Sequence, residues 1–139
     1  YASKQHLFVF KQLNLGNQGE APIIASSWFI SSEIGNPIVV LTRNLLYAYW
    51  QDYDYLLNYF AFHLFFTMAC RRYENEWESI PAFNNSSPHM LMFELKRDYS
   101  SERWEQLMKM SGIHKLQRYD DYSDLKKSNY CKILDTYLQ

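Results

Sequence analysis

Apolar residues in this chain gather in blocks whose spacing shifts from strand-like to helix-like. Leu7-Phe8-Val9-Phe10 is a compact β-prone run between polar residues, which predicts a short strand before a loop from Asn14 to Glu20. The next apolar block, Ile23 to Ser32, suits strand or helix because Ser26-Ser27 interrupt it; a helix from Ser27 is expected. Gly35-Asn36-Pro37 then reads as a stop and a start. Gly closes one element, Asn caps the next, and Pro fits a first helical turn without forfeiting a needed hydrogen bond. Ile38, Leu41, Leu45, Leu46 and Tyr49 share one helical face up to about Gln51.

A second helix, capped by Asp52 or Asp54 and running to about Tyr73, is apolar on nearly every side and is expected at the centre of the core. Within it, Tyr55 to Cys70 holds 16 residues and includes Asn58 and His63. That is short of the roughly 20 apolar residues needed to cross a bilayer. Ile80-Pro81 to Ser87-Pro88 has loop composition, and Met90 to Leu95 reads as a short strand or turn. Trp104, Leu107 and Met108 mark a helix from Glu102 to Met110, ended by Gly112. A short apolar strand from Ile113 to Tyr119 and a last helix from about Ser123 follow, the latter with Leu125, Ile133, Leu134, Tyr137 and Leu138 on its apolar side. The sum is a mainly helical α/β chain with two or three short strands, folded as a single domain or fragment over residues 1–139.

Composition changes this picture in one respect. Twelve Tyr, nine Phe and four Trp bring aromatics to 18%, and such rings suit a thick core, a sugar-binding cleft or an interface equally well. Fourteen Lys and Arg against fifteen Asp and Glu leave a net charge of -1 and no basic stripe, so nucleic acid is excluded as the expected partner. Cys70 and Cys131 have neither a disulfide framework nor zinc spacing, which favours a reducing, cytoplasmic setting. The first residue is Tyr1, from which the chain is expected to begin inside a longer protein. No Gly-rich phosphate loop, Gly-x-Ser-x-Gly elbow or Cys/His metal spacing occurs, so kinase, hydrolase and zinc-protein readings have no starting point.

Of the polar residues, Asp52-Tyr53-Asp54 has the spacing of a metal-binding acid pair, but its place between two helices favours capping. Glu74, Glu76 and Glu78 read as a solvated face. His63 is expected as a hydrogen-bonded core histidine, and Trp28, Trp50, Trp77 and Trp104 as core unless one stacks on a sugar. His89 either ends its loop or meets a sugar hydroxyl.

Ser27-Trp28-Phe29-Ile30, Gly35-Asn36-Pro37-Ile38, Tyr49-Trp50, Asn58-Tyr59-Phe60, Trp77 to Ile80-Pro81, Ser87-Pro88-His89 and Ile113-His114-Lys115-Leu116 occur in an order and spacing that resemble the capsular polysaccharide synthesis family. The likeness covers about residues 5 to 119 and corresponds to the C-terminal half of that family, which is related to Asp-x-Asp glycosyltransferases. It implies part of an A-type glycosyltransferase fold, with the nucleotide-binding half, the Asp-x-Asp acids and a Mn or Mg ion supplied by a parent protein. A nucleotide-sugar donor and a saccharide acceptor are then the implied partners. His114 would complete the metal shell, Lys115 would face the donor phosphates, and Trp28, Asn58 and His89 would lie on the acceptor or sugar side. The family prefers Asp where this chain has Asn58 and Thr where it has Gln117, departures that bear on specificity. Two other readings are a non-catalytic helical module docking on polysaccharide-assembly proteins at the inner membrane face, and a degenerate transferase that still binds sugar.

Overall fold

In a computed structural model, residues 6–15, 22–117, 121 and 126–138 are described. They hold six helices and a two-stranded antiparallel sheet, with 52% of residues helical, so the chain is mainly helical α/β. It divides into two compact units, Tyr1–Asn85 and Ser86–Gln139, each with its own core. No helix among the described residues is long and apolar enough to cross a membrane.

The first unit begins with β1 (Leu7–Val9), as the apolar run predicts, and β2 (Ile30–Ser32) pairs with it in the register Leu7↔Ser32, Phe8↔Ser31, Val9↔Ile30. Backbone bonds from Ser26 N to Phe10 O (2.9 Å) and from Glu33 N to His6 O (3.0 Å) flank the ladder. The helix expected from Ser27 is therefore replaced by a strand approach. Trp28-Phe29-Ile30 is rich in aromatic and β-branched residues, and β1 offers it a pairing edge that local pattern cannot reveal. The rings cross between strands: Phe10 stacks on Trp28 at 5.1 Å, and Phe8 meets Phe29 edge-on at 5.8 Å.

Gly35 turns the chain with φ of +85°, a backbone region open chiefly to glycine. Asn36 then caps α1 (Pro37–Asp52), its Oδ1 accepting from Ile38 N and Val39 N while Pro37 occupies the first turn. The cap is fixed from behind as well, because Asn36 Nδ2 donates to Glu76 Oε1 at 3.3 Å. Ile38 is fully buried and joins Leu7, Val9, Phe66, Ala69, Cys70 and Trp77 in the core of this unit.

The long helix expected from Asp52 to Tyr73 does not form as one piece. Residues 53–60 are irregular, and α2 runs Ala61–Arg72, followed by α3 (Glu74–Ser79). Neither Asp52 nor Asp54 caps α2: Asp52 is the last residue of α1, and Tyr53 is extended. The chain is held out of the helix by side chains competing with the backbone. Asn58 Oδ1 accepts from Phe60 N (2.8 Å), and the Tyr49 hydroxyl donates to Tyr55 O (2.7 Å) while accepting from Leu57 N (3.0 Å). Buried Asn85 fastens the start of this unit to its end by accepting from Asn14 N and Leu15 N and donating to Leu15 O.

The second unit opens with α4 (Ser86–Glu94), where loop and then strand or turn are expected from sequence. Pro88 lies in the first turn, where its missing N–H costs nothing, so the Ser-Ser-Pro stretch starts a helix and does not interrupt one. The helix α5 (Ser101–Met110) falls where it is expected. Leu91, Leu95 and Leu107 form the core, covered by Trp104, Met108, Tyr130 and Ile133. The strand expected from Ile113 to Tyr119 is absent over residues 113–117, and residues 118–119 lie outside those described. The start expected near Ser123 also lies outside them; α6 spans Asn129–Tyr137 with Ser128 accepting from Cys131 N. Buried Glu94 ties the unit together, paired with Arg103 through Nε at 3.0 Å and through Nη2, while Asn129 Nδ2 donates to Glu94 O at 2.8 Å.

Candidate functional site

Three of the five residues singled out from sequence are drawn together in the second unit. After α5 the chain turns at Ser111, whose hydroxyl donates to Ile113 O (2.6 Å) and accepts from Ile113 N (3.1 Å). It then reaches α4, where Lys115 N donates to Pro88 O at 2.8 Å. That bond sets His114-Lys115 beside the first turns of α4, which carry His89. Residues 26 positions apart in sequence thus share one locality, on irregular backbone where side chains are not committed to a sheet.

The three side chains are in different states. His89 is buried at 6% exposure, so its ring belongs to the packed interior of α4. His114 is half-buried, and its Nδ1 is shut from solvent with no hydrogen-bond partner among the described residues. Burial pushes its pKa below the usual 6.5, opposed only in part by the Ser111 backbone, so the ring is neutral at pH 7. Lys115 is half-buried beside it. A neutral imidazole next to an ammonium can offer one lone pair and one fixed positive charge, the two functions that a metal-bound diphosphate would use.

The fit to a metal ion is partial. Among the described residues no three His, Cys, Asp or Glu side chains gather where they could hold one, so His114 is a single candidate ligand. Asp52 and Asp54 lie in the first unit at the end of α1 and have no third ligand with them.

Trp28 and Asn58 belong to the first unit, and the structure does not bring them to one place. Trp28 is half-buried with a face against Phe10, and Asn58 is exposed in the turn before α2. A cavity of about 170 Å³ lies between α1 and α2, lined by Val39, Leu46, Phe62 and Phe66 with Thr42 and Arg43. Thr42 donates its hydroxyl to Ile38 O, and Arg43 is held by Asn44 Oδ1, so little polar capacity remains there to orient a nucleotide.

Sequence patterning missed one feature. Trp50 and the helix expected from Asp52 or Asp54 to about Tyr73 read as core, yet Trp50, Tyr53, Tyr55, Leu56, Leu57 and Tyr59 are all exposed, as is neighbouring Tyr47. The signal was present in Gln51, Asp52, Asp54 and Asn58, polar residues threaded between tyrosines whose hydroxyls need water or a partner.

Neither a curated protein nor a solved structure matches the chain. The model of one family, described as "Capsular polysaccharide synthesis protein", matches residues 1–134, nearly the whole of it. The chain therefore belongs to the capsular polysaccharide synthesis protein family, and its role lies in polysaccharide biosynthesis.

Proposed function

We propose that the chain is the acceptor-side part of a glycosyltransferase that moves a sugar from a nucleotide-sugar donor onto a capsular or other cell-surface polysaccharide, and that it does not transfer sugar by itself. Lys115 places a fixed positive charge against the donor diphosphate, where negative charge grows as the glycosidic bond breaks. His114 gives a neutral lone pair to a divalent cation, Mn or Mg, whose carboxylate ligands come from an Asp-x-Asp outside these 139 residues. Such a cation, when bound, would offset the charge of the departing diphosphate. Trp28 and Asn58 of the first unit are assigned to the acceptor side, Asn58 being the exposed one, whereas buried His89 is left to packing.

What supports the reading most is the main-chain bond from Lys115 to Pro88, which anchors a segment carrying half-buried Lys115 and a neutral imidazole whose Nδ1 has no hydrogen-bond partner among the described residues. Family membership supplies the substrate class. The setting at the inner face of the membrane, in the cytoplasm, is part of the same proposal.

The test is made in a longer protein that carries the Asp-x-Asp acids. There Lys115→Ala lowers nucleotide-sugar turnover about a hundredfold or more. His114→Ala raises the manganese concentration needed for half-maximal rate. A folded His114 variant with wild-type rate and wild-type manganese dependence leaves that residue structural only. Metal-dependent turnover by the isolated chain overturns the proposal that it is inactive alone.

A further inference from the structure

We propose that the tip of the α1–α2 hairpin, residues 47–60, is a binding platform for a neutral polysaccharide chain. The proposal rests on the reading above for its ligand class and deepens it by giving the acceptor a docking place. Its first support is the exposure of large rings that a folded chain ordinarily hides: Tyr59 is 83% exposed, Tyr47 63% and Trp50 48%. Tyr and Trp combine an apolar face with a polar edge, which suits a sugar ring whose C–H faces stack and whose hydroxyls hydrogen-bond.

The second support is order within the tip. Tyr49 stacks on Tyr53 at 5.1 Å with 28° between the planes, Tyr55 meets Tyr53 edge-on at 5.7 Å, and the Tyr49 hydroxyl pins the backbone at Tyr55 and Leu57. A surface arranged before its ligand arrives loses less freedom on binding.

Charge selects the occupant. From Asn44 to Cys70 there is no Lys or Arg, and both acids of that stretch, Asp52 and Asp54, are exposed on the tip. His63, the other basic candidate, is held neutral by burial. An anionic bilayer attracts clustered cations, and an acidic polysaccharide needs them too, so both are disfavoured. A neutral glycan meets no such penalty, and its hydroxyls can donate to the two carboxylates.

The 139-residue chain is run on native gels containing dextran, mannan, galactomannan or polygalacturonate, and is separately floated with phosphatidylcholine vesicles with and without phosphatidylglycerol. Retardation by at least one neutral polymer and none by polygalacturonate is expected. Trp50→Ala and Tyr59→Ala each weaken that retardation about tenfold, the scale on which an exposed aromatic anchor is lost. Among the described residues Tyr59 has one ring contact, edge-on with Phe60, so its variant stays folded, which circular dichroism verifies. No retardation by any neutral polymer overturns the proposal. So does equal retardation by polygalacturonate, flotation with either vesicle, or unchanged retardation of both variants. The gels contain neither nucleotide sugar nor metal, so failure of the transferase reading appears as absent turnover and leaves this result standing.

Discussion

Protonating Glu94 would undo the charge of a buried contact. Its carboxyl is held below the ordinary value of 4.5, first by hydrogen bonds from Arg103 and further by the charges of Arg103 and Arg97, with burial opposing. The folded state thus binds this proton less readily than the unfolded state does. The stability contributed is complete above pH 4.5 and drains as the pH falls through the lower folded value. In urea melts Arg103→Leu is therefore less stable than wild type at pH 7, and the gap narrows toward pH 3, because a neutral carboxyl has less need of a cation. A gap independent of pH would show that Arg103 acts by packing alone. Such side-chain partnerships were not legible in the sequence, since Glu94 fell in a stretch read as a short strand or turn and Arg103 in a separate helix, with nothing local to pair them. Asn36 was legible, because Gly-Asn-Pro states its own local geometry. Asn36→Ala removes both cap bonds and the donor to Glu76, and is expected to cost about 2 kcal/mol in the same melts.

For whole elements, the helices α1 and α5 and the strand β1 could be read in advance because their periodicity or apolar run is decided locally. The helix expected from Ser27 and the strand expected at Ile113 met partners distant in sequence: β1 recruits the first, and α4 holds residues 113–117 of the second through the bond from Lys115 N to Pro88 O. The break between α1 and α2 has a more local cause in the Tyr49 hydroxyl and the Asn58 amide, yet apolar density hides it. Tyr49→Phe is a direct check. It keeps the ring stack but removes the donor to Tyr55 and the acceptor for Leu57, so amide exchange in residues 53–60 should accelerate while α1 keeps its protection. Unchanged exchange would mean that ring packing alone orders the tip. The candidate site was half legible: His114 and Lys115 could be named as chemistry, but their meeting with α4 required the fold.

Taken as a molecule, the chain has two cores of separate composition, one around Ile38 and Phe66 and one around Leu91 and Leu107. Leu107 is fully buried, and Leu107→Ala should cost about 2–5 kcal/mol, with exchange rising first across α4, α5 and α6. Equal loosening of β1 and α1 would count against a core of its own for residues 86–139. The join between Lys115 and Pro88 has a different kind of consequence, which concerns what evolution can do with the site. Its donor is a backbone amide and its acceptor a proline carbonyl, so the approach of this segment to α4 does not depend on which side chains stand at positions 114 and 115. A lineage can exchange Lys115 for a residue of another charge, altering what the position recognises, without dismantling its anchorage. Proline is the one residue at 115 that cannot donate, and it alone would alter chemistry and anchorage in a single step.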